Sequence, residues 1–125
     1  MNSKNLVIVT GLPRTATTAV GRIISFSNEF SAIHEPFNID SGIREVDHRF
    51  VVPERSIALD VFKSHLLNIS KLNLNLKRGF FDDDKFTKKI IKFFLGGRTY
   101  HSYLLSKLLN KKNIVVKDPF LSFAT

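Results

Sequence analysis

Three apolar runs stand out along the chain, and each reads as a strand. Leu6, Val7, Ile8 and Val9 follow one another without polar alternation, the pattern of a strand buried on both faces of a parallel sheet. Thr10 and Gly11 end that run, and Leu12-Pro13 holds the next residues extended. Phe30 to His34 reads as a second short strand stopped by Pro36, and Asn113 to Lys117 as a third closed by Asp118-Pro119. Elsewhere the period is helical. From about Thr17, the apolar positions Ala19, Val20, Ile23 and Ile24 recur at helix spacing and run out near Ser27-Asn28. Ala58, Val61, Phe62, His65, Leu66 and Ile69 mark a second helix. Asp82, Asp83 and Asp84 put negative charge at the start of a third, which carries Phe86, Ile90 and Phe93 or Phe94 and is broken by Gly96-Gly97. Leu104, Leu105, Leu108 and Leu109 belong to a fourth. Residues from about Phe37 to Arg55 have no clear period and contain Gly42 and Pro53, which predicts a long loop. Strands alternating with helices predict an α/β fold, a parallel sheet with flanking helices.

Composition narrows the function classes. A chain of 125 residues with 43% hydrophobic and 24% charged residues suits one globular domain. No cysteine is present, which excludes disulfides, thiolate metal sites and a cysteine nucleophile. Apolar runs are too short for a transmembrane helix. The first run leads straight into the Gly11 loop, unlike a secretory signal, so the cytoplasm is the expected compartment. The net charge is +8, and it is uneven. Lys85, Lys88, Lys89, Lys92, Arg98, Lys107, Lys111 and Lys112 lie in one stretch without an acidic residue. This 85–112 segment is a candidate surface for an anionic ligand, with a solvated helix face as the simpler reading. Nucleic acid is not the expected partner.

Gly11-Leu12-Pro13-Arg14-Thr15-Ala16-Thr17-Thr18 lies between the first strand and the first helix. A loop so placed aims backbone N–H groups and the positive end of the helix dipole at one point, which is an anion site. Gly11 permits the tight turn, Arg14 can fork onto phosphate-type oxygens, and Thr17 and Thr18 add hydroxyls. Against the Walker A pattern, the second Gly falls on Ala16, the Lys on Thr17 and the Ser/Thr on Thr18. The phosphate-bridging Lys is therefore missing, which disfavours Mg-dependent NTP chemistry and a kinase-like transferase. The cation sits inside the loop instead, at Arg14. These residues resemble the 5′-phosphosulfate loop of sulfotransferases, Gly-x-Pro-Arg-Ser-Gly-Thr-Thr, with Thr15 where Ser is usual and Ala16 where Gly is usual. Thr15 keeps the hydroxyl. Ala16 is harmless at negative φ and costs roughly 1 kcal/mol or more at positive φ.

His34-Glu35-Pro36-Phe37-Asn38 puts Glu35 at the carboxyl end of the second strand, the edge that faces the ligand in open α/β sheets. A carboxylate beside an anionic donor makes sense as a general base. The resemblance agrees: bacterial sulfotransferases carry a similar Glu-Pro-Phe-Asn segment. In the related protein-tyrosine sulfotransferases a catalytic Glu follows the loop Arg by 21 residues, as Glu35 follows Arg14. His34-Glu35 does not continue into H-E-x-x-H, since Asn38 stands at the last position, and no metal is expected.

Lys117-Asp118-Pro119-Phe120 places a further cation at a strand end. It resembles either the Lys-Asp-Pro-Phe-x-x-Phe segment of the bacterial relatives, with Phe123 as the last Phe, or their 3′-phosphate motif with Lys117 for Arg and Thr125 for Ser. Phe123 and the missing Arg favour the first. The resemblance implies a P-loop NTPase-like, three-layer fold of which residues 1–125 are the N-terminal portion, reading as cut short after the third strand. The 3′-phosphate site would then lie beyond Thr125. It further implies sulfuryl transfer from 3′-phosphoadenosine 5′-phosphosulfate (PAPS) to an acceptor hydroxyl or amine. Glu35 and Arg14 would be catalytic; Gly11, Pro13, Arg14, Thr15, Ala16, Thr17, Thr18 and Lys117 would bind the donor. The acceptor class stays open among small molecules, glycans and lipids. The alternative is a non-catalytic P-loop fragment that binds anions or nucleotides.

Overall fold

The computed structural model describes residues 2–12, 14–77, 85–95 and 97–122. Pro13, Asp82 to Asp84, Gly96, Phe123 and Thr125, to which the sequence assigns roles, lie outside them. Three strands, β1 (Asn5–Val9), β2 (Phe30–His34) and β3 (Asn113–Lys117), form a parallel sheet in the order β1-β3-β2. Four helices accompany it: α1 (Thr17–Ser25), α2 (Leu59–Ser70), α3 (Phe86–Leu95) and α4 (Arg98–Leu109). The fold is α/β with flanking helices, as the alternation of periods predicts. No helix among the described residues is long and apolar enough to cross a membrane.

Placing β3 in the middle fits its composition. Ile114, Val115 and Val116 are at most 1% exposed, and β-branched side chains pack well on both faces of a covered strand. Side chains alternate along it. Ile114 and Val116 share a core with Ile33 of β2 and with Phe62 and Ile69 of α2. Lys117 points to the opposite face, where Gly21 of α1 packs so closely that an added Cβ would lie 3.2 Å from the Lys117 Cβ. Along the outer edge of β2, α4 supplies hydroxyls. Ser102 Oγ accepts from the His34 N–H at 2.9 Å, and Ser106 Oγ donates to the Ala32 carbonyl at 3.0 Å. These bonds occupy groups that an edge strand otherwise offers to another chain.

The aperiodic stretch after Phe37 is a loop, as expected, but it belongs to the core. Phe37, Ile43, Val46 and Val51 are buried in the same cluster as β2, β3 and α2. Its backbone finds partners outside regular structure: Arg44 N–H donates to Asn75 O at 2.8 Å, Lys77 N–H to Gly42 O at 2.8 Å, and Lys77 Nζ to Ile39 O at 2.7 Å. A Cβ on Gly42 would strike the Pro36 and Asn38 main chain, so this turn closes only with glycine.

Three periodicity-based expectations are corrected. In α1 the buried positions are Thr17 and Gly21, whereas Val20 and Ile23 are exposed. In α4 they are Thr99, Tyr103 and Ser106, whereas Leu104, Leu105, Leu108 and Leu109 are exposed. In α3, Phe86 and Ile90 are likewise exposed. Gly21 lets α1 sit close to the sheet, and Ser102 and Ser106 bond α4 to the edge of β2. β1 is also less covered than its unbroken apolar run implies, with Val7 and Ile8 37% and 38% exposed.

Candidate active site

In the parallel register Val9 and His34 both lie level with Lys117. The segments leaving the three strands therefore emerge side by side at one edge. Backbone bonds fasten them there: Glu35 N–H donates to Lys117 O at 2.7 Å, and Asp118 N–H to Val9 O at 2.9 Å.

The loop after β1 bends through two left-handed residues, Arg14 (φ 67°) and Ala16 (φ 60°). Ala16 precedes α1 at the N-cap position and offers no side-chain cap. The first-turn N–H groups of α1 thus keep their hydrogen-bonding capacity for another acceptor. The positive φ is the strained case for an alanine, at about 1 kcal/mol. Gly11 and Thr15 shape the loop. Thr15 Oγ1 donates to Leu12 O at 2.6 Å, and a Cβ on Gly11 would lie 2.7 Å from that hydroxyl oxygen.

Glu35 is also left-handed, with φ 47°. Its Oε1 accepts from Lys117 Nζ at 2.5 Å and its Oε2 from Asn38 Nδ2 at 3.0 Å. Burial works to raise this carboxyl, but Lys117 and Asn38 outweigh it and hold Glu35 below the usual carboxylate range. The group is therefore ionised at neutral pH. Its neighbour His34 sits 3.4 Å from Oε1. Burial drives the imidazole down to about 4 against the pull of Glu35, with Arg98, Lys117 and Arg22 adding to the effect. His34 is accordingly neutral near pH 7.

Beneath this pair lies Asp118, fully buried. Its Oδ2 accepts from Phe37 N–H at 2.6 Å and its Oδ1 from Phe120 N–H at 2.9 Å, which clamps the turn after β2 to the turn after β3. Burial pushes this carboxyl up to about 7, against those two N–H bonds.

Arg14, Ala16, Thr17, Thr18, Glu35 and Lys117 line one cavity of about 530 Å³. Of the residues expected at the site, Gly11 and Thr15 do not line it and Pro13 is outside the described residues. Arg49 and Phe50 also line it, and nothing in the sequence pattern marked them. They arrive because Val51 N–H donates to Phe120 O at 3.0 Å and the Phe50 and Phe120 rings meet at 5.9 Å. Those contacts join the aperiodic loop to residues about 70 positions away in sequence.

Comparison with protein-family models, with curated proteins and with solved structures finds no match for this chain. What fold and site define is a chemical type: an α/β domain carrying an uncapped strand–loop–helix turn beside a lysine-paired carboxylate.

Proposed function

We propose that the chain binds a phosphosulfate or closely similar dianion in the Gly11–Thr18 loop of a P-loop-like fold, and that its chemistry is sulfuryl transfer from PAPS. The observation that carries this reading is the shared cavity, in which the loop and Glu35 face the same space. The residues that line this cavity suit such a group: uncapped first-turn N–H donors, Thr17 and Thr18, and the cationic Arg14 and Arg49. Bound there, PAPS would supply an electrophilic sulfur whose bond to the phosphate oxygen breaks as the acceptor oxygen or nitrogen attaches.

The remaining work falls to side chains of this chain. Glu35, ionised at neutral pH, takes the acceptor's proton. Lys117 balances Glu35 and keeps the carboxylate from repelling an anion alongside it. Arg14 and the loop N–H groups hold the charge that gathers on the departing phosphate. Positioning and charge stabilisation carry the rate, as in phosphoryl transfer.

Glu35→Gln is expected to retain PAPS binding and lower turnover by about 10²-fold or more. Arg14→Ala is expected to weaken binding and slow transfer together. Calorimetry with the donor product and radiolabelled sulfate transfer measure the two effects. Binding that Glu35→Gln and Arg14→Ala both leave untouched, with no transfer from the parent chain, would overturn the assignment in favour of a non-catalytic anion site elsewhere.

A further inference from the structure

A second cavity, of about 340 Å³, lies between α1 and α4 over the sheet face that carries Lys117. Its walls are regular. Thr18, Gly21, Arg22 and Ser25 recur at helix spacing on α1, and Arg98, His101, Ser102, Leu105, Ser106 and Leu109 do so on α4. Residues of β2 and β3 form the floor, and none of the lining residues is acidic.

The cavity is also polarised end to end. α1 leaves the carboxyl edge of the sheet and α4 starts there, so Thr18, Arg98, His34 and Lys117 share that end. Arg22 and His101 follow within a turn. Arg22, Arg98 and Lys117 thus line the cavity together with the His34 ring. Among the described residues neither Arg22 nor Arg98 forms an ion pair with a carboxylate. Toward the other end the lining turns apolar, with Phe30, Leu105 and Leu109, and Lys111 stands at the far mouth.

We propose that this trough is a binding site for a small amphipathic monoanion or dianion, a single-tailed alkyl or aryl phosphate or sulfate ester. Its head would meet Arg22 and Arg98, and its tail would lie along Leu105, Leu109 and Phe30. The volume sits at the lower end of the about 300–1,000 Å³ usual for small-molecule sites, which suits one short tail and not a two-chain lipid. Charge complementarity supplies the head-group selection. The site adjoins the loop cavity through Thr18 and Lys117 but does not depend on sulfuryl transfer.

The test is titration calorimetry of the full chain with octyl phosphate below its micelle concentration, alongside inorganic phosphate, octanol and phosphatidic acid vesicles. Octyl phosphate is expected to bind at least about 10-fold more tightly than inorganic phosphate or octanol. Arg98→Glu and Leu105→Asp, both at exposed positions, should each weaken it about 10-fold or more with unchanged circular dichroism. Arg14→Ala should leave the preference for octyl phosphate over inorganic phosphate unaltered, which separates this trough from the loop site. Equal affinity for inorganic phosphate, binding indifferent to Arg98→Glu and Leu105→Asp, loss of the octyl phosphate preference with Arg14→Ala, or binding to the vesicles alone would overturn the proposal.

Discussion

Two strands of nearly the same composition meet opposite fates in this molecule. In β3, Ile114, Val115 and Val116 are covered on both faces and paired on both edges. In β1, Val7 and Ile8 are more than a third exposed, and among the described residues only β3 pairs with the strand. The same contrast extends to what packs around them. The β2–β3 side gathers α2, the 37–57 loop and Tyr103, whose hydroxyl donates to Leu72 O at 2.9 Å. From β1, among the described residues, Leu6 reaches that core, while on the opposite face α1 rests on the sheet through Thr17 and Gly21 and turns Ile23 and Phe26 to solvent. An apolar pattern thus states what a segment is suited to, and the rest of the fold decides whether that suitability is used.

The sharpest way to break the comparison is to truncate one large side chain in each region. Phe37 is fully buried, with Phe62 and His65 rings 5.7 and 6.2 Å from its own. Phe37→Ala is expected to cost about 3–5 kcal/mol. Ile23, 67% exposed, should lose no more than about 0.5 kcal/mol on change to Ala. Urea unfolding measures both. Comparable losses would mean that α1 is covered in solution and that the contrast between the two regions is false.

The same contrast explains what the sequence made legible. Strand positions and the helix over residues 59–70 followed from local period, and the parallel sheet from the alternation of strands with helices, whereas the strand order did not follow. The level placement of Glu35, Lys117 and the Gly11 loop also followed, since parallel strands put their carboxyl ends on one edge. Which face of α1 or α4 meets the sheet did not follow. Gly21, Ser102 and Ser106 win those positions by close approach and by bonding the edge of β2, and neither effect leaves a periodic trace. Arg49, Phe50 and the clamp at Asp118 were hidden for a similar reason: their partners are distant in sequence.

A smaller effect sharpens the comparison from within the buried region, through its titrating groups. Between about pH 4 and pH 7 Asp118 is protonated in the folded chain and ionised in the unfolded one. It therefore removes stability as the pH rises through that window. His34 does the reverse. Between about pH 4 and 6.5 it is neutral when folded and charged when unfolded, so it removes stability as the pH falls. The two slopes oppose each other. Asp118→Asn also leaves one backbone N–H without its acceptor, so the level of stability drops by about 1–3 kcal/mol. The diagnostic is the slope. Asp118→Asn should give stability that rises from pH 4 to 6.5, and His34→Gln stability that falls from pH 4 to 7, in urea titrations across that range. Parallel curves for the parent and both variants would show that neither group titrates as its burial implies.

The smallest expected change lies at the open edge of β1. Its counterpart on β2 is guarded by Ser102 and Ser106, whereas among the described residues only β3 pairs with β1, whose Val7 is 37% exposed. Exposed apolar edges of this kind template pairing with other chains, and a lysine on the edge is the usual safeguard. Val7→Lys should therefore alter unfolding stability by no more than about 0.5 kcal/mol while lowering concentration-dependent association in sedimentation velocity. Ser102→Ala should do the opposite on the other edge, since it frees the His34 N–H and takes away one of the two bonds α4 makes there. If Val7→Lys unfolds the chain instead, β1 is buried in solution as deeply as β3, and the two strands share the fate that their sequences suggest.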